Sequence, residues 1–161
     1  MITEKKRVTI YTDGSCKGNP GPGGYAAILT YGAYKDYESV KRGNKHATTN
    51  NEMELMAVLA GLEALLEPCQ VTIVTDSRYL IMTASHERSW LLKENRPNRD
   101  LWKTFLNLKT KGNHDVAFEK IKAHSGNYYN ERCDKIAREQ AAKAYHELRM
   151  ILSERRPSSI K

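Results

Sequence analysis

The chain has 161 residues, of which 40% are hydrophobic and 28% charged, and this composition predicts a single globular domain over residues 1–161. No apolar run approaches membrane-spanning length and residues 1–7 lack the apolar centre of a signal peptide, so a cytoplasmic protein without membrane contact is expected. The formal net charge of +7 fits either a solvated basic surface or a polyanionic partner.

The first predicted strand, residues 8–12, is rich in β-branched and aromatic side chains and ends directly before Asp13. An acid at the carboxyl end of a strand lies where open α/β sheets bind their ligands. The Gly- and Pro-rich stretch over residues 16–24 follows at once. It fits either a backbone that approaches a ligand closely or a plain hairpin connection.

Two more strands are predicted over residues 25–31 and 34–40, as a meander around Gly32. The polar, basic stretch over residues 41–51 is expected to connect this meander to a helix.

A largely apolar helix is predicted over residues 51–67, with Thr49 or Asn50 as the N-cap and Pro68 as the stop. At 3.6 residues per turn, Glu54 points with the apolar residues of the helix. A buried carboxylate is costly unless a cation or hydrogen-bond donors meet it. Either the helix N-terminus satisfies Glu54 or the side chain has a functional role.

A second strand that ends in an acid is predicted over residues 71–75, directly before Asp76. Asp76 fits either an N-cap of the helix predicted over residues 77–88 or a second acid at the sheet edge. A strand–helix–strand crossover makes the two flanking strands parallel. Asp13 and Asp76 are then expected at the same edge of the sheet, with Glu54 arriving from the helix between them.

The polar connection over residues 89–100 contains Trp90, which fits either the core or a basic surface. It leads into a helix whose Trp102 is expected in the core, with Asn98 or Asp100 as cap. A further strand is predicted over residues 116–121.

The loop over residues 122–127 contains His124 and precedes a helix predicted over residues 131–144. The sequence leaves open a continuation of this helix from Tyr145 toward the basic tail at Pro157. Asp134 lies at the edge of the apolar stripe of this helix. Flexible termini are expected over residues 1–6 and 153–161. Three cysteines without CxxC spacing favour neither a disulfide framework nor a zinc site.

Five segments of the chain, in order, resemble those of type 1 ribonuclease H. They are YTDGSCKGNPGPGG (residues 11–24), TTNNEMELMA (48–57), TDSRY (75–79), DLW (100–102) and HSGNYYNERCDKIA (124–137). The resemblance implies an α/β fold with a five-stranded mixed sheet in the order 3-2-1-4-5 and helices on both faces. It also implies endonucleolytic hydrolysis of the RNA strand of RNA–DNA hybrids, which leaves 5′-phosphate and 3′-hydroxyl ends.

By resemblance, the metal-binding acids of the family map to Asp13, Glu54, Asp76 and Asp134, and its mobile-loop histidine maps to His124. The family mechanism uses two Mg²⁺ ions, for which Mn²⁺ can substitute. We expect Asp13 to bridge both ions and His124 to move protons or assist product release. An ordinary loop histidine is the alternative for His124.

Substrate binding is expected from residues of the same motifs and of the basic connection. They are Asn19, Thr49, Asn50, Asn51, Lys93 and Arg96. Contacts to 2′-hydroxyl groups are expected to distinguish the RNA strand. The chain departs from the family at Ala47, where many relatives have arginine, at Ala123, where glycine is usual, and in a shortened basic protrusion between Tyr79 and Asp100. Hybrid affinity is therefore expected either to be lower or to be carried by other basic residues. These are Lys41, Arg42, Lys45, the basic tail, and Lys93, Arg96 and Arg99 of the shortened connection.

Two alternatives belong to other functional classes. The first is another polynucleotidyl transferase on the same fold, such as a transposase core, which usually carries a sparser set of acids and further DNA-binding domains. The second is a non-catalytic hybrid-binding module, which would gain nothing from four carboxylates that face phosphates. A monomer without an obligate protein partner is expected.

Overall fold

The computed structural model describes residues 4–32 and 34–157, and residues 34–36 are described without their side chains. In chain order its strands are β1 (Lys6–Cys16), β2 (Gly21–Tyr31), β3 (Tyr34–Thr48), β4 (Cys69–Thr75) and β5 (Asp115–Lys120). Its helices are α1 (Asn50–Glu63), α2 (Arg78–Ala84), α3 (Arg88–Leu91), α4 (Arg99–Lys111) and α5 (Tyr128–Glu154). None of these described helices combines the length and apolar composition needed to cross a membrane.

The five strands form one mixed sheet in the order β3-β2-β1-β4-β5, which confirms the predicted fold. β2 pairs antiparallel with β1 and with β3, whereas β4 pairs parallel with β1 and with β5. The parallel pairing of β1 with β4 ends at Tyr11 and Val74, and β1 continues beyond it to Cys16. Asp13 therefore lies just past the paired region, next to the end of β4.

Helices cover both faces of the sheet. On one face α1 and α4 bury the main core, in which Ile10, Val58, Ile73 and Trp102 are fully enclosed. Burying such a side chain contributes roughly 1.5–3 kcal/mol of transfer free energy. The full burial of Trp102 confirms its predicted place in the core.

On the opposite face α5 packs across β1, β2 and β3 around a smaller cluster that includes Ala26, Ile28, Cys133 and Ala137. A Cβ on Gly24 would lie 2.5 Å from the Ala137 carbonyl oxygen, so α5 and β2 touch through their backbones. The close contact holds the N-terminal half of α5 against the strand that pairs with β1.

Three predicted helix boundaries were wrong. α1 ends at Glu63 rather than at residue 67, because residues 64–68 carry the chain to the start of β4, and Leu66 is 99% exposed there. The helix predicted over residues 77–88 is two helices, and Ser85 at their break donates its hydroxyl to the Met82 carbonyl at 2.7 Å. α5 begins at Tyr128, three residues before its predicted start, and it continues past Ala144 to Glu154.

The strand boundaries also differ from the prediction. The basic stretch over residues 41–51 is strand as far as Thr48, because β2 begins at Gly21 and pairs with it. A strand at the sheet edge has little need of apolar alternation, so its sequence did not reveal it. The Gly-rich connection between β1 and β2 shrinks to residues 17–20.

Some residues of the two predicted flexible termini belong to regular secondary structure. Lys6 lies in β1, and Ser153 and Glu154 lie in α5. Residues 1–3 and 158–161 of those predicted termini lie outside the described residues. All three cysteines are free thiols.

Candidate metal centre and active site

Three carboxylates from three different elements meet at one edge of the sheet. Asp13 comes from β1, Glu54 from α1, and Asp76 from the residue that follows β4. Each offers one carboxylate oxygen such that all three oxygens lie within 4.8 Å of one another. We call these three residues the acidic triad.

The N-terminus of α1 places Glu54 in the acidic triad. Thr49 is the N-cap, and its hydroxyl accepts a hydrogen bond from the Glu52 N–H at 3.1 Å. A Cβ on Gly14 would lie 2.5 Å from the Glu54 nitrogen, so only glycine lets β1 pass this close to the helix. The Gly14 N–H in turn donates to Asp13 Oδ1 at 2.9 Å.

Asp76 does not cap the helix that follows it, which resolves one of the alternatives. Ser77 is the N-cap of α2, and its hydroxyl accepts a hydrogen bond from the Leu80 N–H at 3.2 Å. The Ser77 N–H donates to Thr75 Oγ1 at 3.0 Å. The Asp76 carboxylate is therefore left to face the other two acids.

The acidic triad is electrostatically strained, because burial and like charges disfavour ionisation. Burial and the nearby Asp76 raise the pKa of Asp13 to about 7. Burial, Asp13 and Asp76 raise the pKa of Glu54 well above its ordinary value, and burial is the main cause of the raised pKa of Asp76.

One oxygen of the acidic triad has no partner. Glu54 Oε2 is buried without a hydrogen bond from any described residue. An unpaired buried carboxylate oxygen is costly, and a divalent cation relieves both this cost and the repulsion between the acids. An all-oxygen donor set suits Mg²⁺ or Mn²⁺ better than softer metals. The residues present therefore fit a hard divalent cation.

Asp134 and His124 lie beside the acidic triad rather than within it. Asp134 lies in the second turn of α5 and pairs with Arg138, whose Nη2 is 2.7 Å from Asp134 Oδ2. Its charge contributes to the raised pKa of both Asp13 and Asp76. His124 is exposed on the loop before α5, and its charge acts to lower the pKa of Asp76.

The backbone at His124 is unusual. Its φ of +55° is in the left-handed region, and Gly126 two residues later has a φ of +86°. Such conformations are uncommon for residues other than glycine. The loop that carries His124 is thus held in a specific shape next to Asp76.

Four of the predicted substrate-binding residues lie around the N-terminus of α1. Asn19 Oδ1 accepts a hydrogen bond from the Asn50 N–H at 3.1 Å, which links the β1–β2 loop to the helix. Thr49, Asn50 and Asn51 are exposed. Their polar groups surround the edge of the sheet at which the acidic triad lies.

The other two predicted residues, Lys93 and Arg96, differ from each other. Lys93 is exposed. The Arg96 guanidinium carbon lies 3.3 Å from the centre of the Trp90 ring, and Arg96 Nε donates to the Trp90 carbonyl at 2.8 Å. The His86 ring stacks on Trp90 at 3.7 Å between centroids. Trp90 thus belongs to a surface stack, and Arg96 retains only its terminal nitrogens for a ligand.

A cavity of about 740 Å³ lies between α1 and the chain over residues 94–101. Lys45 and Arg99 line it, and both belong to the basic residues that the sequence offers for holding the hybrid. Lys45 pairs with Glu52, whose hydrogen bonds from Lys45 and Thr48 outweigh partial burial and lower the pKa of the Glu52 carboxyl.

Comparison with known proteins places the chain among ribonucleases H. The sequence model of the RNase H family matches residues 5–142. The ribonuclease H of Chlorobium limicola is 47% identical over 146 residues, which cover 84% of this chain and 95% of that protein.

Solved structures show the same architecture. LC9-RNase H1, described as a type 1 RNase H with the type 2 active-site motif, superposes with a TM-score of 0.76 at 26% identity, covering 89% of this chain and 76% of that one. LC11-RNase H1, solved in complex with an RNA/DNA hybrid, superposes with a TM-score of 0.70 at 23% identity, covering 86% of this chain and 99% of that one.

Proposed function

Because this chain belongs to the ribonuclease H family, we propose that it is an endoribonuclease that hydrolyses the RNA strand of RNA–DNA hybrids and leaves 5′-phosphate and 3′-hydroxyl ends. The observation that carries this proposal is the acidic triad with its unpartnered Glu54 oxygen. A structural ion pair would bring cations of the protein to this cluster. Among the ion pairs of the described residues none involves Asp13, Glu54 or Asp76, which suits a site that is completed by metal and a phosphate backbone.

Asp13, Glu54 and Asp76 would hold divalent cation, with Asp134 as a further ligand. When bound, two Mg²⁺ ions supply an activated water, charge relief at the reacting phosphate and stabilisation of the leaving oxygen. The protein contributes a preorganised set of carboxylates, in which Asp13 lies centrally because it is next to both other acids. Mn²⁺, with the same preference for oxygen ligands, is expected to substitute.

The geometry of the acidic triad also bears on proton binding and proton transfer at the site. The raised pKa of Asp13 and Glu54 means that a cation competes with protons at those carboxylates. We propose that His124, on the loop near Asp76, gives a proton to the leaving 3′-oxygen or carries one away. Its exposed position on a shaped loop allows it to reach the RNA strand.

The hybrid would lie across the sheet edge, with its minor groove on the N-terminus of α1. Asn19, Asn50 and Asn51 present amide groups there, and amides can bond both to 2′-hydroxyl groups and to base edges. The exposed Thr49 side chain and the Asn51 N–H in the first turn of α1 suit a phosphate of the DNA strand. Lys93 and the terminal nitrogens of Arg96 would contact phosphate further along the duplex.

We also propose that the chain acts as a monomeric, single-domain enzyme in the cytoplasm, without an obligate protein partner. The shared core of α1, α4 and the sheet supports one domain. The acidic triad draws all its members from one chain, so the site needs no second copy.

The decisive experiment is cleavage of an RNA–DNA hybrid that is labelled on the RNA strand, with Mg²⁺ or Mn²⁺ added to metal-free protein. We expect RNA fragments with 3′-hydroxyl ends from the wild type and none from Asp13→Asn or Asp76→Asn. Asp115→Asn is the matched control. Its exposed carboxylate pairs with Lys5 at the start of β5, at the end of the parallel strands opposite to the acidic triad.

Other outcomes would reject the proposal. Equal cleavage of a DNA duplex would favour the transposase-like class. Metal-dependent binding of the hybrid by folded wild type without any cleavage would favour the binding module.

A further inference from the structure

The last helix continues well beyond the core. Ala144 is the last fully buried residue of α5, and the match to the family ends at residue 142. The ten residues from Tyr145 to Glu154 add about 15 Å of helix at 1.5 Å per residue. We call residues 145–156 the α5 extension.

The α5 extension passes the loop between β1 and β2, which follows the strand that carries Asp13. Lys17, in the loop between β1 and β2, lies with its Nζ 5.8 Å from the centre of the Tyr145 ring. His46, near the end of β3, lies with its Nε2 3.1 Å from Glu147 Oε2. The loop that carries Lys17 also carries Asn19, which bonds to the N-terminus of α1.

Exposed polar side chains follow one side of the α5 extension, and two of them are arginines. His146, Arg149, Ser153 and Arg156 recur there at helical spacing. With Met150 and Leu152 they line an open groove of about 560 Å³. Arg149 is positioned by a hydrogen bond of 3.0 Å that its Nη1 donates to the Tyr145 hydroxyl.

The arginines of this surface are available to a ligand. Among the ion pairs of the described residues, none involves Arg149 or Arg156, whereas the nearby Glu147 is paired with His46. Arginine presents a planar fork that matches phosphate oxygens. Arg149 and Arg156 are about 10 Å apart along the helix, a distance over which duplex nucleic acid carries about six phosphate charges.

We propose that the α5 extension, together with Lys17, is a second phosphate-binding surface that holds the hybrid duplex beyond the segment being cut. The inference rests on the proposed function and extends it. The surface would supply affinity for the hybrid in a chain whose basic connection between α2 and α4 is short and whose Arg96 is stacked on Trp90. The partner is the sugar–phosphate backbone, read without regard to sequence.

The test compares two double variants with equal loss of charge. Arg149→Ala with Arg156→Ala removes two cations of the surface. Lys109→Ala with Lys111→Ala removes two exposed cations from the last turn of α4. This turn is followed by His114 and the start of β5, so it lies away from the acidic triad. Both are made in an Asp76→Asn background, so that hybrid binding is measured by anisotropy without cleavage.

The expected result concerns the salt dependence of affinity for a hybrid of about 24 base pairs, since each lost phosphate contact lowers the log–log slope by about 0.9. The arginine variant should lose about 1.8 from that slope. A fourfold rise in salt concentration should then weaken hybrid binding by the reference protein about tenfold more than it weakens binding by the variant. A hybrid of about 8 base pairs, too short to span both sites, should show a smaller difference. The lysine control should match the reference protein.

A gain-of-contact variant guards against a folding defect. Ser153→Arg adds a guanidinium to the same exposed side and should raise the slope by about 0.9. Equal slopes for the reference protein, the arginine variant and Ser153→Arg would overturn the proposal, as would an equal fall in the lysine control.

Two outcomes separate this proposal from its neighbours. If the unmodified chain cleaves the hybrid but the arginines leave the slope unchanged, only the further inference fails; absence of cleavage overturns the proposed function itself. A concentration-dependent rise in mass that Met150→Ser abolishes, with an unchanged slope, would assign the surface to self-association instead.

Discussion

Replacing Asp13 by Asn should stabilise the metal-free protein at pH 8 while it abolishes cleavage. Asp13 is 6% exposed and burial, together with Asp76, raises its pKa to about 7 from an ordinary 3.8. A group with a raised pKa in the folded state favours folding when it is protonated. Stability is therefore greatest at low pH with respect to this group, and is lost as the pH rises from about 4 to about 7.

The magnitude follows from the same pKa. A rise from 3.8 to about 7 means that ionised Asp13 lowers the free energy of unfolding by about 4 kcal/mol at a pH above both values. This figure is an upper bound, because Asp13 and Glu54 titrate together. Asn keeps an oxygen for the hydrogen bond from the Gly14 N–H and removes the charge. We expect a gain of up to about 4 kcal/mol at pH 8 and almost none near pH 4.

The assay is urea unfolding at several pH values in the presence of a chelator, with Asp115→Asn as the control for loss of an exposed carboxylate. Mg²⁺ should then stabilise the wild type by about 1.4 kcal/mol at ten times its dissociation constant, and should stabilise Asp13→Asn much less. A variant that is less stable than the wild type at pH 8, or a difference that does not change with pH, would refute the reasoning about repulsion in the acidic triad.

Three further predictions concern other parts of the molecule. His114 is buried, and its Nδ1 accepts a hydrogen bond from the Cys69 N–H. Because burial lowers the pKa of His114, the free energy of unfolding should fall as the pH drops below about 6.5. In urea titrations, His114→Gln should flatten this dependence on pH. Gly14→Ala places a Cβ 2.5 Å from the Glu54 nitrogen and should cost about 1–3 kcal/mol by strain, with weaker Mg²⁺ binding by calorimetry, whereas unchanged binding would argue against this close approach. Lys93→Ala should raise KM and lower the salt slope by about 0.9 with little change in kcat; an unchanged KM would remove Lys93 from the hybrid surface.

Much of the fold was predictable because local patterns and chain connectivity constrain it strongly. β1 and β4 each read as a β-rich run that ends in an acid, and the helix between them requires the two strands to be parallel. The inward direction of Glu54 followed from helical periodicity alone, and its burial confirms it. The boundaries that failed, such as the end of α1 and the extent of β3, depend on partners that are distant in the sequence.

The candidate site was likewise predictable from the sequence only in part. The motifs identified Asp13, Glu54 and Asp76, and the structure brings these three together. It holds Asp134 beside them on a salt bridge to Arg138 and leaves His124 on an exposed loop. The roles of these residues in catalysis and of Asn19, Thr49, Asn50, Asn51, Lys93 and Arg96 in hybrid binding stay predictions.

By itself, the sequence determined the parallel pairing of β1 with β4 and the inward direction of Glu54, because these follow from the crossover rule and helical periodicity. The order of its motifs determined the family, and the strand order followed from that resemblance. Only the tertiary structure decided whether Asp76 caps a helix or faces Asp13, since Ser77 lies next to it and can fill the cap equally well. It alone placed Arg96 on Trp90 and carried α5 past the sheet to Lys17. Such pairings depend on which surfaces remain free after the core has packed, and no local pattern of residues encodes that.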